Sequence, residues 1–342
     1  MHKILRNLSC YAGMREDLVQ AGGGNSSIKI TDDQMLIKAS GISLSEVSES
    51  SGFSVVNYKQ LLDAFEKDDT QESICLNSSL VSGNRPSIES FLHALTKRVT
   101  LHTHPTLVNV LSVRKGGFDE LKTLFPEAIF VDYETPGIRL AKLLKRELNN
   151  SDSQAIQVIF MKNHGLVVAA EKATDVISMT ESVIDRIADY LGVNNSPYKN
   201  ITILYDKLQS HGLMKTDEVV YLSTDVQICE YLRDHDNDFL YAFCPDCLVY
   251  CHRRAMRLPK TVTQSFVDDF LMRWGKPNIF IYEGNLYIVA PSLKKAREIE
   301  SVLRMSLQIL VLNHGKEIDY LSDKEQNYLL NWESEKYRQQ QS

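Results

Sequence analysis

The sequence lacks any long apolar run. No stretch approaches the roughly 18–20 apolar residues needed to cross a bilayer, so no membrane partner is expected. Positive charge is not in excess either: 38 Lys and Arg face 44 Asp and Glu, for a net charge of −6 and a pI of about 5.9. No basic face is available to neutralise a phosphate backbone, so no nucleic-acid partner is expected. The opening Met1-His2-Lys3-Ile4-Leu5-Arg6 lacks the apolar core and cleavage site of an export signal. The six cysteines therefore read as reduced thiols in a cytoplasm rather than a disulfide framework. No GxGxxG turn is present to bind a dinucleotide. What remains is a 342-residue chain, 43% hydrophobic and 24% charged, long enough for two domains.

Chemistry-bearing residues concentrate at Thr100-Leu101-His102-Thr103-His104-Pro105. On an extended strand, positions i and i+2 share a face. Two imidazoles on one face can share a metal ion, and imidazole suits zinc. Alone, the spacing is equally that of an incidental pair. A third histidine, His164, sits in Lys162-Asn163-His164-Gly165, a turn between the apolar strand 158–161 and another apolar strand. In that setting it could complete a three-histidine zinc site with an open position.

Around these residues the chain alternates in type. Apolar positions over 3–20 have helical spacing, and the helix should stop before Gly22-Gly23-Gly24. Residues 25–30 and 35–38 read as a hairpin turning at Asp32-Asp33. Its ends carry two Gly/Ser-rich turns, 22–27 and 40–41, whose backbone N–H groups suit an anion such as phosphate or serve as ordinary strand turns. This is not a P-loop, because the glycines, lysine and hydroxyl residues do not fall at its spacing. Residues 57–67 read as a helix. Ser87 can cap a following helix with Glu89 in its first turn, or Glu89 is a base held just ahead of the histidine strand. Further helices are expected at 107–113, 118–124, 138–148 and 171–191, with a strand at 129–133.

Together these segments resemble the class II aldolase/adducin family, the fuculose-phosphate aldolase-like group. The resemblance covers roughly residues 3–195 and rests on GGGNSSIK (22–29), IKASG (37–41), RPSIE (85–89), LHTHP (101–105), YETPG (133–137) and KNHGLVV (162–168). It implies a three-layer α/β/α fold, with a zinc domain over 1–200 and a smaller C-terminal α/β cap domain over 201–342. It also implies zinc held by His102, His104 and His164, and Glu89 as the acid/base, with a pKa raised by partial burial. Gly24, Asn25, Ser40, Gly41 and Ser87 match positions that cradle a substrate phosphate. Tyr133 matches a tyrosine that, in some members, protonates the departing aldehyde from a neighbouring subunit. One departure concerns Ile88, which replaces a second serine common before the glutamate, a lost hydroxyl worth about 1–2 kcal/mol.

The implied activity is zinc-dependent cleavage of a ketose 1-phosphate to dihydroxyacetone phosphate and an aldehyde through an enediolate, a step of carbohydrate metabolism run by a cytoplasmic homotetramer. Sugar-phosphate 4-epimerases, decarboxylases and a dehydratase in the family use the same zinc site. The adducin branch, a non-catalytic binding protein, loses the histidines that are present here.

Residues 196–215 read as a linker opened by Asn194-Asn195-Ser196-Pro197. Beyond it, the chain resembles longer family members, including the aldolase half of bifunctional rhamnulose-phosphate aldolase/lactaldehyde dehydrogenase chains. That resemblance rests on Phe243-Cys244-Pro245-Asp246, Val249-Tyr250 and the run 330–338. A hairpin is expected over 279–289 and helices over about 292–312 and 322–339. Cys244, Cys247 and Cys251 flank an apolar run read as a strand, on which they would alternate faces, so free thiols are expected rather than a metal.

Overall fold

The computed structural model describes residues 1–66, 71–151, 155–235 and 242–331. It divides into two compact units, Met1–Asn195 and Ser196–Ser342.

The first unit is built on strands β1 (Asn25–Lys29), β2 (Gln34–Lys38), β3 (Phe53–Asn57), β4 (Leu80–Gly83), β5 (Val99–Thr103), β6 (Ile129–Val131), β7 (Gln157–Met161) and β8 (Gly165–Ala170). They form one sheet in the order β4-β3-β2-β1-β5-β8-β7-β6. Every pairing is antiparallel except β6 with β7. The helices are α1 (His2–Gly13), α2 (Tyr58–Asp63), α3 (Glu72–Ser78), α4 (Ser90–Leu95), α5 (Thr106–Ser112), α6 (Gly117–Leu124), α7 (Ile138–Asn149) and α8 (Ala173–Leu191).

Strand side chains alternate between two apolar layers, as the two-residue period requires. Leu36, Val158 and Phe160 join Leu5, Leu8, Leu111 and Ile184 of α1, α5 and α8 on one face. Met35, Ile37, Ile159 and Met161 join Leu61, Phe91 and Leu144 of α2, α4 and α7 on the other. The sheet is therefore buried on both sides, giving the expected three-layer α/β/α fold.

The second unit holds α9 (Ser196–Ser210), β9 (Val219–Leu222), α10 (Val226–Asp234), α11 (Pro245–Cys251), β10 (Met256–Arg257), α12 (Gln264–Trp274), β11 (Ile279–Tyr282), β12 (Asn285–Ala290), α13 (Leu293–Leu312) and α14 (Asp323–Asn331). Its sheet runs β10-β11-β12-β9. It is the smaller α/β body, with Ile279, Ile281 and Ile288 packed on Leu303 and Leu307 of α13.

Several local expectations need correction. The first helix ends at Gly13 rather than near residue 20. A Cβ at Gly13 would lie 2.2 Å from the Ser45 nitrogen, so this glycine marks a close backbone contact. The expected linker opens with a full helix, α9, which buries Ile201, Leu204 and Leu208. The cysteine segment is helix α11, not a strand. The last helix is described to Asn331; its expected continuation to 339, and the 332–338 part of the C-terminal resemblance, lie outside the described residues. Among the described residues, no helix is long and apolar enough to cross a membrane.

Candidate metal centre

The centre forms where β1, β5 and β8 meet. Register places Asn25 of β1 opposite His102, and His102 opposite Val167 of β8. His102 ends up fully buried in mid-sheet. β5 stops at Thr103, so His104 lies just beyond the strand. Its backbone N–H donates to the Leu18 carbonyl at 2.9 Å, and Thr106 N–H donates to the Asp17 carbonyl at 2.9 Å. The loop after α1 therefore receives the Thr103-His104-Pro105 corner.

His164 reaches the same place from the tight β7–β8 turn. Asn163 adopts φ +54° there, and its N–H donates to Ser112 Oγ at 2.7 Å. Asn109 Nδ2 donates to the His164 carbonyl at 3.2 Å, so α5 holds both ends of the turn. Gly165 is needed because a Cβ would sit 2.3 Å from the Thr103 oxygen. Glu89 comes from the segment just ahead of α4. It precedes α4 as its N-cap residue rather than sitting in the first turn, and its N–H donates to Ser87 Oγ at 3.3 Å.

The donor atoms of Glu89, His102, His104 and His164 all lie within 4.8 Å of one another. Glu89 Oε1 stands 3.2 Å from His102 Nε2 and 3.3 Å from His164 Nε2. The two strand histidines bring Nε2 to Nε2 at 2.9 Å. His102 Nδ1 donates to the Leu166 carbonyl at 3.0 Å, which turns its Nε2 lone pair toward the cluster. His164 Nδ1 is buried with no hydrogen-bond partner among the described residues. Nitrogen lone pairs converging beside a carboxylate are a repulsive arrangement that a divalent cation relieves, and three imidazoles with one carboxylate suit such an ion. The cluster can bind a metal.

The charge states follow from burial and crowding. Burial pushes the Glu89 carboxyl up, but His102 and His164 outweigh it and hold the group well below the usual carboxylate range. The expectation of a carboxylate raised by burial is therefore corrected: its neighbours win. Burial lowers His102, yet the Glu89 carboxylate raises it overall. Burial, with His102 and His164 beside it, pushes His104 down to about 3. A neutral imidazole is the form that ligates.

The expected anion-binding residues are dispersed around this centre. Asn25 is buried, and its Nδ2 donates directly to Glu89 Oε2. Gly24, at φ +73°, packs where a Cβ would meet the His102 oxygen at 2.9 Å. Ser40 and Gly41 are exposed, and the Ser40 N–H already donates to the Arg85 carbonyl at 2.9 Å. Ser87 is buried, and its Oγ accepts from the Glu89 N–H. Ile88 packs on the core layer containing Phe91. Tyr133 stays 61% exposed, two residues beyond β6, while the histidines lie at β5 and β8. The hydrogen bonds and ion pairs that join the cluster residues do not involve it.

Two neighbours were not singled out in the sequence. Lys38 is buried, and its Nζ donates to the carbonyls of Gly22 at 3.3 Å and Ile42 at 2.6 Å. It thereby ties the two Gly/Ser turns together beneath their surface. A lysine closing an apolar strand at a glycine turn was the available signal. The other neighbour is Arg15, fully buried and paired with Asp17 at 2.7 Å and Glu181 at 2.8 Å, which anchors the loop that receives His104. Its partner Glu181 is too distant in sequence for any local pattern to reveal.

An α/β/α sheet with a His/Glu centre of this kind is the framework of a metal-dependent enzyme. The sequence profile of the Class II Aldolase and Adducin N-terminal domain matches residues 9–190, and the chain belongs to this family. No curated protein matches the chain. Among solved structures, it is similar to the N-terminal class II aldolase domain of a conserved protein from Thermoplasma acidophilum, at 25% identity and a TM-score of 0.49, over 55% of this chain and 92% of that one. It is also similar to a sugar-phosphate aldolase from Thermotoga maritima (16% identity, TM-score 0.41, 56% and 97% covered). L-fuculose-1-phosphate aldolase from Thermus thermophilus is a further match (16%, 0.37, 55% and 94%). Family membership supports an aldolase-type enzyme.

Proposed function

We propose that the protein is a zinc-dependent lyase that interconverts a ketose 1-phosphate with dihydroxyacetone phosphate and an aldehyde. The observation that carries this reading is the convergence of the Glu89, His102, His104 and His164 donor atoms within 4.8 Å. In this reading the three histidines hold zinc, which, when bound, supplies Lewis-acid polarisation of substrate oxygens. Glu89 exchanges a proton with the substrate carbon beside the carbonyl, from a position fixed by the Asn25 amide on its Oε2. The turns carrying Gly24, Asn25, Ser40, Gly41 and Ser87, braced by Lys38, position the phosphate and so fix the reacting carbon. Tyr133, presented by a neighbouring copy in a homotetramer, exchanges the proton on the aldehyde oxygen. The protein would act in the cytoplasm on carbohydrate phosphates.

The test is direct. The purified protein should contain about one zinc per chain, and His104→Ala should lose it. A full zinc complement in that variant would remove His104 from the ligand set. Incubation with fuculose, rhamnulose and ribulose phosphates should release dihydroxyacetone phosphate from at least one of them. An epimerised product without cleavage would reassign the reaction to the epimerases that share the centre.

A further inference from the structure

Outside the histidine centre, the chemistry-bearing group that stands apart is the cysteine cluster of the second unit. Cys244 is the N-cap residue of α11, and Cys247 lies one turn further on. Their sulfur atoms are 2.8 Å apart. That is closer than the ~3.5–4.0 Å at which smaller carbon atoms rest without bonding. A disulfide is about 2.0 Å long, so closing the bond needs the sulfurs to approach by less than about 1 Å.

The two thiols differ in setting. Cys244 is half-buried, and the intervening Pro245 and Asp246 are exposed, so an oxidant approaches from that side. Cys247 is fully buried. Its sulfur stands 2.9 Å from Ser306 Oγ of α13, and that hydroxyl donates to the Val302 carbonyl at 2.9 Å. Contacts to Cys244 on one side and to Ser306 on the other hold Cys247 in place. Cys251 sits apart from the pair: its sulfur is directed to the Ile299 carbonyl at 4.0 Å. Among the described residues, the group of His, Cys, Asp and Glu donors close enough to share an ion is the one at Glu89, and it includes no cysteine. Two sulfurs alone are half of a closed tetrahedral site.

We propose that Cys244 and Cys247 form a reversible dithiol/disulfide pair, in which Cys244 attacks an external disulfide and Cys247 resolves it. In the first step the Cys244 thiolate attacks one sulfur of a small-molecule disulfide. A mixed disulfide forms and one thiolate leaves. In the second step the Cys247 sulfur attacks the Cys244 sulfur, and the second thiol of the reagent departs with the proton that Cys247 gives up. The pair loses two protons and two electrons, which the reagent takes up, and one disulfide is reduced to two thiols. The order of attack follows from the environments. Burial, and the neighbouring Cys244, push the Cys247 thiol up to about 12. Cys247 therefore stays protonated until the mixed disulfide forms beside it, and the first step falls to the more accessible sulfur.

The experiment uses the full chain carrying Cys229→Ser, because Cys229 is exposed and would react on its own. The protein is equilibrated with oxidised glutathione, quenched in acid, alkylated, and mapped by peptide mass spectrometry. The expected product is a peptide in which Cys244 and Cys247 are joined, lighter by two hydrogens and restored by dithiothreitol. Adding Cys247→Ser should stop the reaction at a stable glutathione adduct on Cys244. Adding Cys244→Ser should leave Cys247 unmodified. The proposal is overturned if both thiols are alkylated after oxidation, if glutathione persists on Cys244 with Cys247 present, or if Cys247 pairs with Cys251. The first arm needs neither active-pair variant to fold, so it decides alone.

Discussion

At the residue scale, His93 shows how burial sets a charge. It is completely buried, its Nδ1 is 2.7 Å from Ser27 Oγ, and its Nε2 has no partner among the described residues. Burial pushes its pKa down to about 3, with His102 adding repulsion. The unfolded chain takes up a proton near pH 6.5, whereas the folded chain does so only near 3. Between these values the unfolded state binds more protons, so stability falls as pH falls. From this group alone the slope is at most about 1.4 kcal/mol per pH unit. The variant His93→Gln keeps a partner for Ser27 and removes the titration. Urea unfolding of both proteins between pH 6.5 and 5 should therefore show a shallower decline for the variant. Parallel declines would mean that His93 is protonated in the fold. No local pattern decides this: one turn from Glu89, a histidine reads equally as packed or exposed, and only the covering of both sheet faces settles it.

At the element scale, the centre depends on segments that hold histidines without touching substrate. Gly165 opens β8 against Thr103, and Gly165→Ala puts a carbon 2.3 Å from the Thr103 oxygen and 3.1 Å from His104 Cδ2. Backbone cannot give way as a flexible side chain does. The variant should lose about 1–3 kcal/mol and most of its metal affinity together, read by thermal melting and metal analysis. Retained metal binding would show that the β5–β8 register tolerates the shift. Arg15 acts from further away. Replacing it by Met leaves Asp17 buried at 6% exposure beside Glu181, an uncompensated charge costing about 3–5 kcal/mol. For a unit of this size that lowers the melting temperature by roughly 10 °C. Elements with short-range causes were legible: the hairpin turning at Asp32-Asp33, and the apolar strands either side of His164. Those with long-range causes were not. Helix α1 stops where Gly13 meets Ser45. In α9 the polar opening masked a regular Ile201, Leu204, Leu208 spacing, and Pro197 falls in the first turn, where its missing N–H costs nothing. In α11 the run Leu248-Val249-Tyr250 has strand-like composition, yet Pro245 starts a helix whose buried face carries Cys247, Leu248 and Cys251.

At the scale of the whole molecule, the role proposed for Tyr133 rests on a second copy of the chain. It ends the edge of the sheet, since β6 is the terminal strand and β7 separates it from β8. Two strand spacings put that edge about 10 Å from the strand that carries Gly165. The side chain is exposed. In the proposed tetramer the same exposure brings Tyr133 of one copy to the centre of the next, so each site takes histidines from one chain and the tyrosine from another. That division is testable by complementation. His104→Ala and Tyr133→Phe should each lower aldol cleavage sharply as pure assemblies. After the two are dissociated, mixed in equal amounts and reassembled, about a quarter of the sites combine an intact histidine set with an intact tyrosine. Activity should then rise above that of either parent toward this fraction. A mixture no more active than the mean of its parents would place both groups in one chain, or remove Tyr133 from the reaction. The exposed edge of β6 would then be an ordinary surface.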